Sequence, residues 1–140
     1  MKSGKIITQD DEIRELLVRY KNIAVLGLSP KPERASHRVA KYMKENGYQI
    51  IPVRPAQKDI LGERACASLD DIGEAVDIVD VFRNPAQIMP HAQEAIRIRP
   101  KLFWMQLNIE HQDVAELLVQ AGIDVVMNKC IKVEHERLCA

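Results

Sequence analysis

The stretch VLGLSPKPERASHRVAKYMKENG, residues 25–47, decides how the rest of the chain is read. It continues an apolar, β-branched run, NIAVLGL (22–28), turns at Gly27, and enters a segment where Val39, Ala40 and Met43 recur at helical spacing before Gly47 stops it. Strand, glycine turn and helix in this order form the first half of a nucleotide-binding unit. The turn departs from the dinucleotide fingerprint. Ser29 and Pro32 stand where the later glycines would be, and Pro30 stiffens the loop further. The close backbone approach that those glycines permit is therefore not expected. The loop offers an anion something else. Ser36 is expected to cap the helix, whose free N–H groups and positive dipole end face outward, with Lys31, Arg34, His37 and Arg38 around them. Singly these are ordinary solvated charges, but grouped at a helix start they point to a phosphate site, because arginine grips phosphate with a two-pronged fork.

Working outward, four more apolar runs repeat the character of the first: YQIIPV (48–53), VDIVDVF (76–82), KLFWMQL (101–107) and DVVM (124–127). Near-continuous apolar strands suit a sheet covered on both faces. Helical patterns lie between them: Ile88, Met89, Ala92, Ala95 and Ile96 after an Asn84-Pro85 start, then Val114, Leu117, Leu118 and Ala121 ending at Gly122. Ahead of the first strand, Thr8 and Asp11 resemble a capping box, and Ile13, Leu16, Leu17 and Tyr20 share one face, predicting an amphipathic helix through about Arg19. Alternating strands and helices predict an α/β fold: a Rossmann-like, doubly wound, parallel five-stranded sheet in three α/β/α layers, with residues 1–140 as a single domain and the helix within residues 1–20 packed on it. The long connection at 54–76 is expected to hold an irregular strand around Ile60–Cys66 and one helical turn near Leu69–Ile72. Ligands of such sheets sit beyond the carboxyl ends of the strands. Gly27 to Arg38, Val53 to Pro55, Phe82 to Asn84 and Gln106 to Asn108 therefore bound the candidate site.

Twenty basic residues balance twenty acidic ones, which argues against a nucleic-acid partner. The N-terminus lacks the apolar core of a signal peptide or membrane span, so no membrane association and a cytoplasmic location are expected. Cys66, Cys130 and Cys139 are too few and too widely spaced for a disulfide framework or a zinc knuckle. The end of the second strand discriminates between nucleotides. NAD-binding proteins tend to place an acidic residue there to hold the ribose hydroxyls, whereas this chain has Arg54. A cation favours a phosphorylated ribose, as in NADP or in coenzyme A (CoA). Arg83, directly after VDVF, adds another cation at the same rim.

The segments AVLGLSPKPERASHRVAKYMKENGYQIIPVRP, ILGERACASLDDI, VDIVDVFRNP, WMQLNIEH and GIDVVMNKCIKVEHERL, in this order, resemble the small bacterial and archaeal CoA-binding domain family, which is itself similar to the N-terminal CoA-binding domain of the succinyl-CoA synthetase alpha subunit. The resemblance runs from about Lys21 to Leu138. It implies a Rossmann-like fold holding CoA or an acyl-CoA. Gly27, Ser29, Pro30, Ser36, His37 and Arg38 match the loop after the first strand; Val53, Arg54 and Pro55 match the end of the second; Phe82 and Arg83 match the end of the third. Two positions depart from the family pattern: Asn108 stands where glycine is common, and Arg54 within a segment that often reads VNP. The synthetase subunit's second domain, with its phosphorylated histidine, has no expected counterpart in these 140 residues.

The sequence offers little for catalysis. His37, His91, His111 and His135 form no ligand pair, so no metal site is expected, and His91 and His111 read as surface or partly packed helix residues. Asp77 and Asp80 fall on opposite faces of the third strand. Cys130 reads first as a packed cysteine and second as a thiol activated by Lys129, Lys132 and His135. Trp104 reads as core. The expectation is a CoA-binding sensor, carrier or regulatory protein with no self-contained catalytic site and an unassigned protein partner. An NADP-binding reductase and a protein-interaction module with a vestigial pocket are the alternatives.

Overall fold

The computed structural model describes residues 3–140. Along the chain run α1 (Asp10–Arg19), β1 (Asn22–Leu26), α2 (Ala35–Glu45), β2 (Gln49–Val53), β3 (Asp59–Ile60), β4 (Glu63–Arg64), β5 (Ile78–Val81), α3 (Ile88–Ile98), β6 (Leu102–Met105), α4 (Gln112–Gln120), β7 (Asp124–Val126) and α5 (Ile131–Leu138). Five of the strands form one parallel sheet in the order β2-β1-β5-β6-β7. The chain leaves β1 toward β2 on one side and returns to β5 on the other, so the order reverses at β1 and opens a crevice above it. This is the expected doubly wound, three-layer α/β fold.

Strand period sorts the core into two halves. Ile23, Val25, Ile50, Ile78, Leu102, Trp104 and Val126 pack with α1, α2 and α5, whereas Ala24, Leu26, Ile51, Val53, Val79, Val81, Phe103, Met105 and Val125 pack with α3 and α4. Trp104 is fully buried, and its indole N–H donates to the Lys129 carbonyl at 2.7 Å. The connection 54–76 holds the β3–β4 hairpin, a short bridge pairing Cys66 with Val53, and a single turn at Leu69–Asp71. The other edge is covered too. Lys5 and Ile7 exchange backbone hydrogen bonds with Val125, which leaves β7 less open to pairing with another chain.

Gly47 and Gly122 take positive φ, 92° and 86°, as expected for left-handed helix stops. Asn84 accepts from the Ala86 N–H at 3.0 Å ahead of Pro85, also as expected. Two local expectations are corrected, and one helix went unforeseen. Gln9, not Thr8, precedes α1, and no side chain caps it; Asp10, Asp11 and Glu12 meet the dipole in its first turn instead. Ser36 is inside α2, which begins after Arg34, so it cannot serve as the cap. Helix α5 was not anticipated, because Glu134 and His135 share its buried face with Ile131 and break the apolar stripe that marks a helix in sequence.

Candidate functional site

The carboxyl ends of β1, β2 and β5 are laced together by backbone. The Gly27 N–H donates to Val53, and the Phe82 N–H donates to Leu26, both at 2.9 Å. Gly27 has φ 83°, and a Cβ there would stand 2.7 Å from the Phe82 carbonyl oxygen and 3.1 Å from Arg83 Cδ. No other residue fits without moving backbone. The Arg83 stem thus lies across the bare face of Gly27.

Beyond Gly27 the loop folds back onto α2. The Ser29 N–H donates to Ser36 Oγ at 2.9 Å, and the Lys31 N–H donates to Ser29 Oγ at 3.1 Å. The Ser36 hydroxyl therefore pins the loop, and no side chain caps the first turn of α2. The N–H groups that a cap would have engaged remain available to a ligand.

Two hollows open over these strand ends. The first, of about 630 Å³, is walled by the loop and the start of α2, and includes Ser29, Pro30, Lys31, Arg34, Ser36, Gln57 and Phe82. No carboxylate lines it. The second, of about 280 Å³, has Val53, Pro55, Ser68, Arg83, His91 and Glu94 in its wall. Gly27 and Arg54 belong to both and divide them. Arg54 is held loosely, its Nη1 donating to the carbonyls of Gly27 and Leu28 at 3.5 and 3.4 Å. Arg83 is held less still: its Nε is buried and has no partner among the described residues. A further groove of about 540 Å³ along the β2 edge is lined by Glu63, Asp71 and Glu74, and its carboxylates suit no anion.

Most sequence-predicted residues meet here. Gly27, Ser29, Pro30, Ser36, Arg54 and Phe82 line the first hollow, and Val53, Arg54, Pro55 and Arg83 line the second. His37 and Arg38 line neither. His37 is buried on α2, and the exposed Arg38 donates from Nη1 to the Glu33 carbonyl. Gln57, Ser68, His91 and Glu94 were missed as site residues. The first two come from the irregular connection, whose path no periodicity reveals. His91 and Glu94 sit three apart on α3, the helix after β5, and that spacing was their available signal. Asn108 keeps a glycine-like φ of 68° and donates its N–H to Asn128 Oδ1 at 2.6 Å, so the departure from glycine leaves the backbone conformation in place.

Asp80 lies below the site, 1% exposed, between Val25 and Trp104 in the sheet. Burial pushes its carboxyl up to about 7, opposed by the hydrogen bond from Gln106 Nε2. Gln106 Oε1 in turn accepts from the Ile131 N–H at 3.4 Å, so this chain of polar groups joins β5 and β6 to the start of α5. Cys130 precedes α5 and is partly packed against the core. Among the described residues no group of three or more His, Cys, Asp or Glu side chains is placed to hold a metal ion. No helix among them is long and apolar enough to cross a membrane. What the arrangement can do chemically is receive negative charge at two adjoining places.

The CoA binding domain model matches residues 21–136, which contain all five sheet strands and both hollows. The chain belongs to the CoA-binding domain family. Among its relatives, Bacillus subtilis YneT is 43% identical over 124 residues, covering 89% of this chain and 92% of that protein. A solved Thermus thermophilus structure is 45% identical with a TM-score of 0.90, covering 94% of this chain and 99% of that one. A hypothetical protein from Pyrococcus horikoshii OT3 is 38% identical with a TM-score of 0.92 over the full length of both chains. The last of these likenesses also covers α1, which precedes the residues matched by the family model.

Proposed function

We infer that this protein binds CoA or an acyl-CoA across the carboxyl ends of β1, β2 and β5, as a single-domain sensor, carrier or regulatory protein. The observation that carries the reading is a hollow bearing Lys31, Arg34 and Arg54 with no carboxylate in its wall, beside an uncapped helix start, in a chain of the CoA-binding domain family. The pyrophosphate of CoA is assigned to this first hollow. There the free N–H groups of α2 and the two exposed loop cations meet it, and charge-assisted hydrogen bonds of this kind are about twice as strong as neutral ones. Arg54 and Arg83 serve the adenosine end, with Val53 and Phe82 flanking it.

Arg54 also supports a second reading, an NADP-binding protein, because a cation at the end of β2 suits a ribose phosphate better than two free hydroxyls. Calorimetric titration of the ligand-stripped protein with CoA, acetyl-CoA, NADP and NAD under reducing conditions separates the two. Tighter binding of CoA species is the expected result. Preference for NADP overturns it, and no heat from any of the four leaves the interaction-module reading.

A further inference from the structure

The second hollow contains a buried donor that nothing satisfies. Arg83 Nε is shielded from solvent without a partner, and no ion pair or hydrogen bond among the described residues engages its guanidinium. A buried donor left unpaired is costly, and an anion seated against it removes that cost. His91 faces the same space. Its Nδ1 lies 3.2 Å from Glu94 Oε1, and no hydrogen bond among the described residues occupies its Nε2. With Glu94 accepting at Nδ1, the imidazolium form of His91 donates from Nε2. Arg54 and Arg83 against the Glu94 carboxylate leave one net positive charge, and His91 in its protonated form makes it two, which suits a phosphomonoester of about −2.

The division of the site adds a constraint. Gly27 and Arg54 separate this hollow from the larger one beside α2, so a ligand filling both carries two anionic groups set apart from each other. At about 280 Å³ the second hollow holds a phosphate with part of its sugar, not a whole nucleotide. Resting on the CoA-binding reading, we propose that it is a phosphomonoester subsite: Arg83 and His91 grip the ribose 3′-phosphate of CoA, and Glu94 is a positioning residue that orients the His91 ring. This makes His91, a residue of α3 outside the loop and strand-end positions of the family pattern, a determinant of specificity for the phosphorylated ribose.

The test measures dissociation constants for CoA, 3′-dephospho-CoA, NADP and NAD with the wild-type protein and with Arg83→Gln, His91→Gln and Lys31→Ala, checking the melting temperature of each unliganded variant. The wild type should bind CoA about tenfold or more tightly than 3′-dephospho-CoA, the size of effect given by one charge-assisted hydrogen bond. In Arg83→Gln and His91→Gln that ratio should fall toward one, through a larger loss of affinity for CoA than for 3′-dephospho-CoA. Lys31→Ala should weaken both ligands alike. Equal wild-type affinity for the two CoA forms, or variants that weaken both equally, overturns the subsite and leaves CoA binding intact. Discrimination of NADP from NAD without discrimination between the CoA forms moves the phosphomonoester to a different carrier and overturns the assignment. No binding of either CoA form removes the underlying reading and the subsite with it.

Discussion

At the scale of single residues, Gly27 carries the tightest constraint. Its φ of 83° and the 2.7 Å gap to the Phe82 carbonyl oxygen mean that Gly27→Ala must displace backbone at the meeting point of three strands. Urea unfolding should show a loss of more than about 1 kcal/mol, and ligand affinity should fall with it because both hollows share that wall. Asp80 gives a second test, through pH. Its carboxyl titrates near 7 in the folded chain and near 3.8 when unfolded, so between those values the folded state holds a proton that the unfolded state has lost. Stability should therefore decline as pH rises from about 4 to about 7, by on the order of a few kcal/mol. Asp80→Asn cannot ionise and retains an acceptor for Gln106, so its stability should be flatter across that window. An equally steep decline in the variant would rule out Asp80 as the titrating group.

At the scale of elements, one contact ties three helices together. The Tyr42 hydroxyl on α2 and His135 Nδ1 on α5 share a hydrogen bond at 2.8 Å, the Tyr48 ring meets His135 edge-on at 5.5 Å, and the Tyr48 hydroxyl donates to the Leu17 carbonyl of α1. Desolvation, with Lys21 nearby, lowers the His135 pKa below its ordinary value of about 6.5. The unfolded chain then takes up a proton before the folded one does, so this contribution is present above about pH 6.5 and is lost as pH falls through the lower folded value. His135→Gln should remove that acid-side loss, measured as melting temperature from pH 7.5 to 4.5. Tyr42→Phe should cost about 1 kcal/mol near neutrality. The same helix shows where the sequence could not be read. The five sheet strands were legible because each is a near-continuous apolar run, interrupted inside only at Asp80 of β5, and α2, α3 and α4 because their stripes are clean. Helix α5 buries Glu134 and His135: the carboxylate pairs with Lys129 just upstream and with Arg137 three residues on, and the ring meets Tyr42 of α2. Polar residues on a buried face break the apolar period, and a partner as distant as Tyr42 leaves no local signal. Ser36 misled for a related reason, since its partner is the Ser29 N–H seven residues upstream and not the helix it was expected to cap.

At the scale of the whole molecule, the charge balance shapes how binding should behave. Formal net charge is zero, so no long-range field draws an anionic ligand toward the crevice, and the attraction comes from the cations at its mouth. Lys31 and Arg34 are exposed and make no ion pair among the described residues, so removing them should leave the unliganded fold nearly as stable as before. Their effect should appear only with ligand. CoA at about a hundred times its dissociation constant adds roughly 2.7 kcal/mol of stability, enough to raise the melting temperature by several degrees. The Lys31→Ala/Arg34→Ala double variant should match the wild type without CoA and show a smaller rise at the same CoA concentration. Screening shortens to about 3 Å at 1 M salt, so the wild-type rise should shrink with added salt while the variant's changes less. Equal rises in the two proteins at every salt concentration would place the anion away from the loop, and the uncapped start of α2 would lose its assigned role.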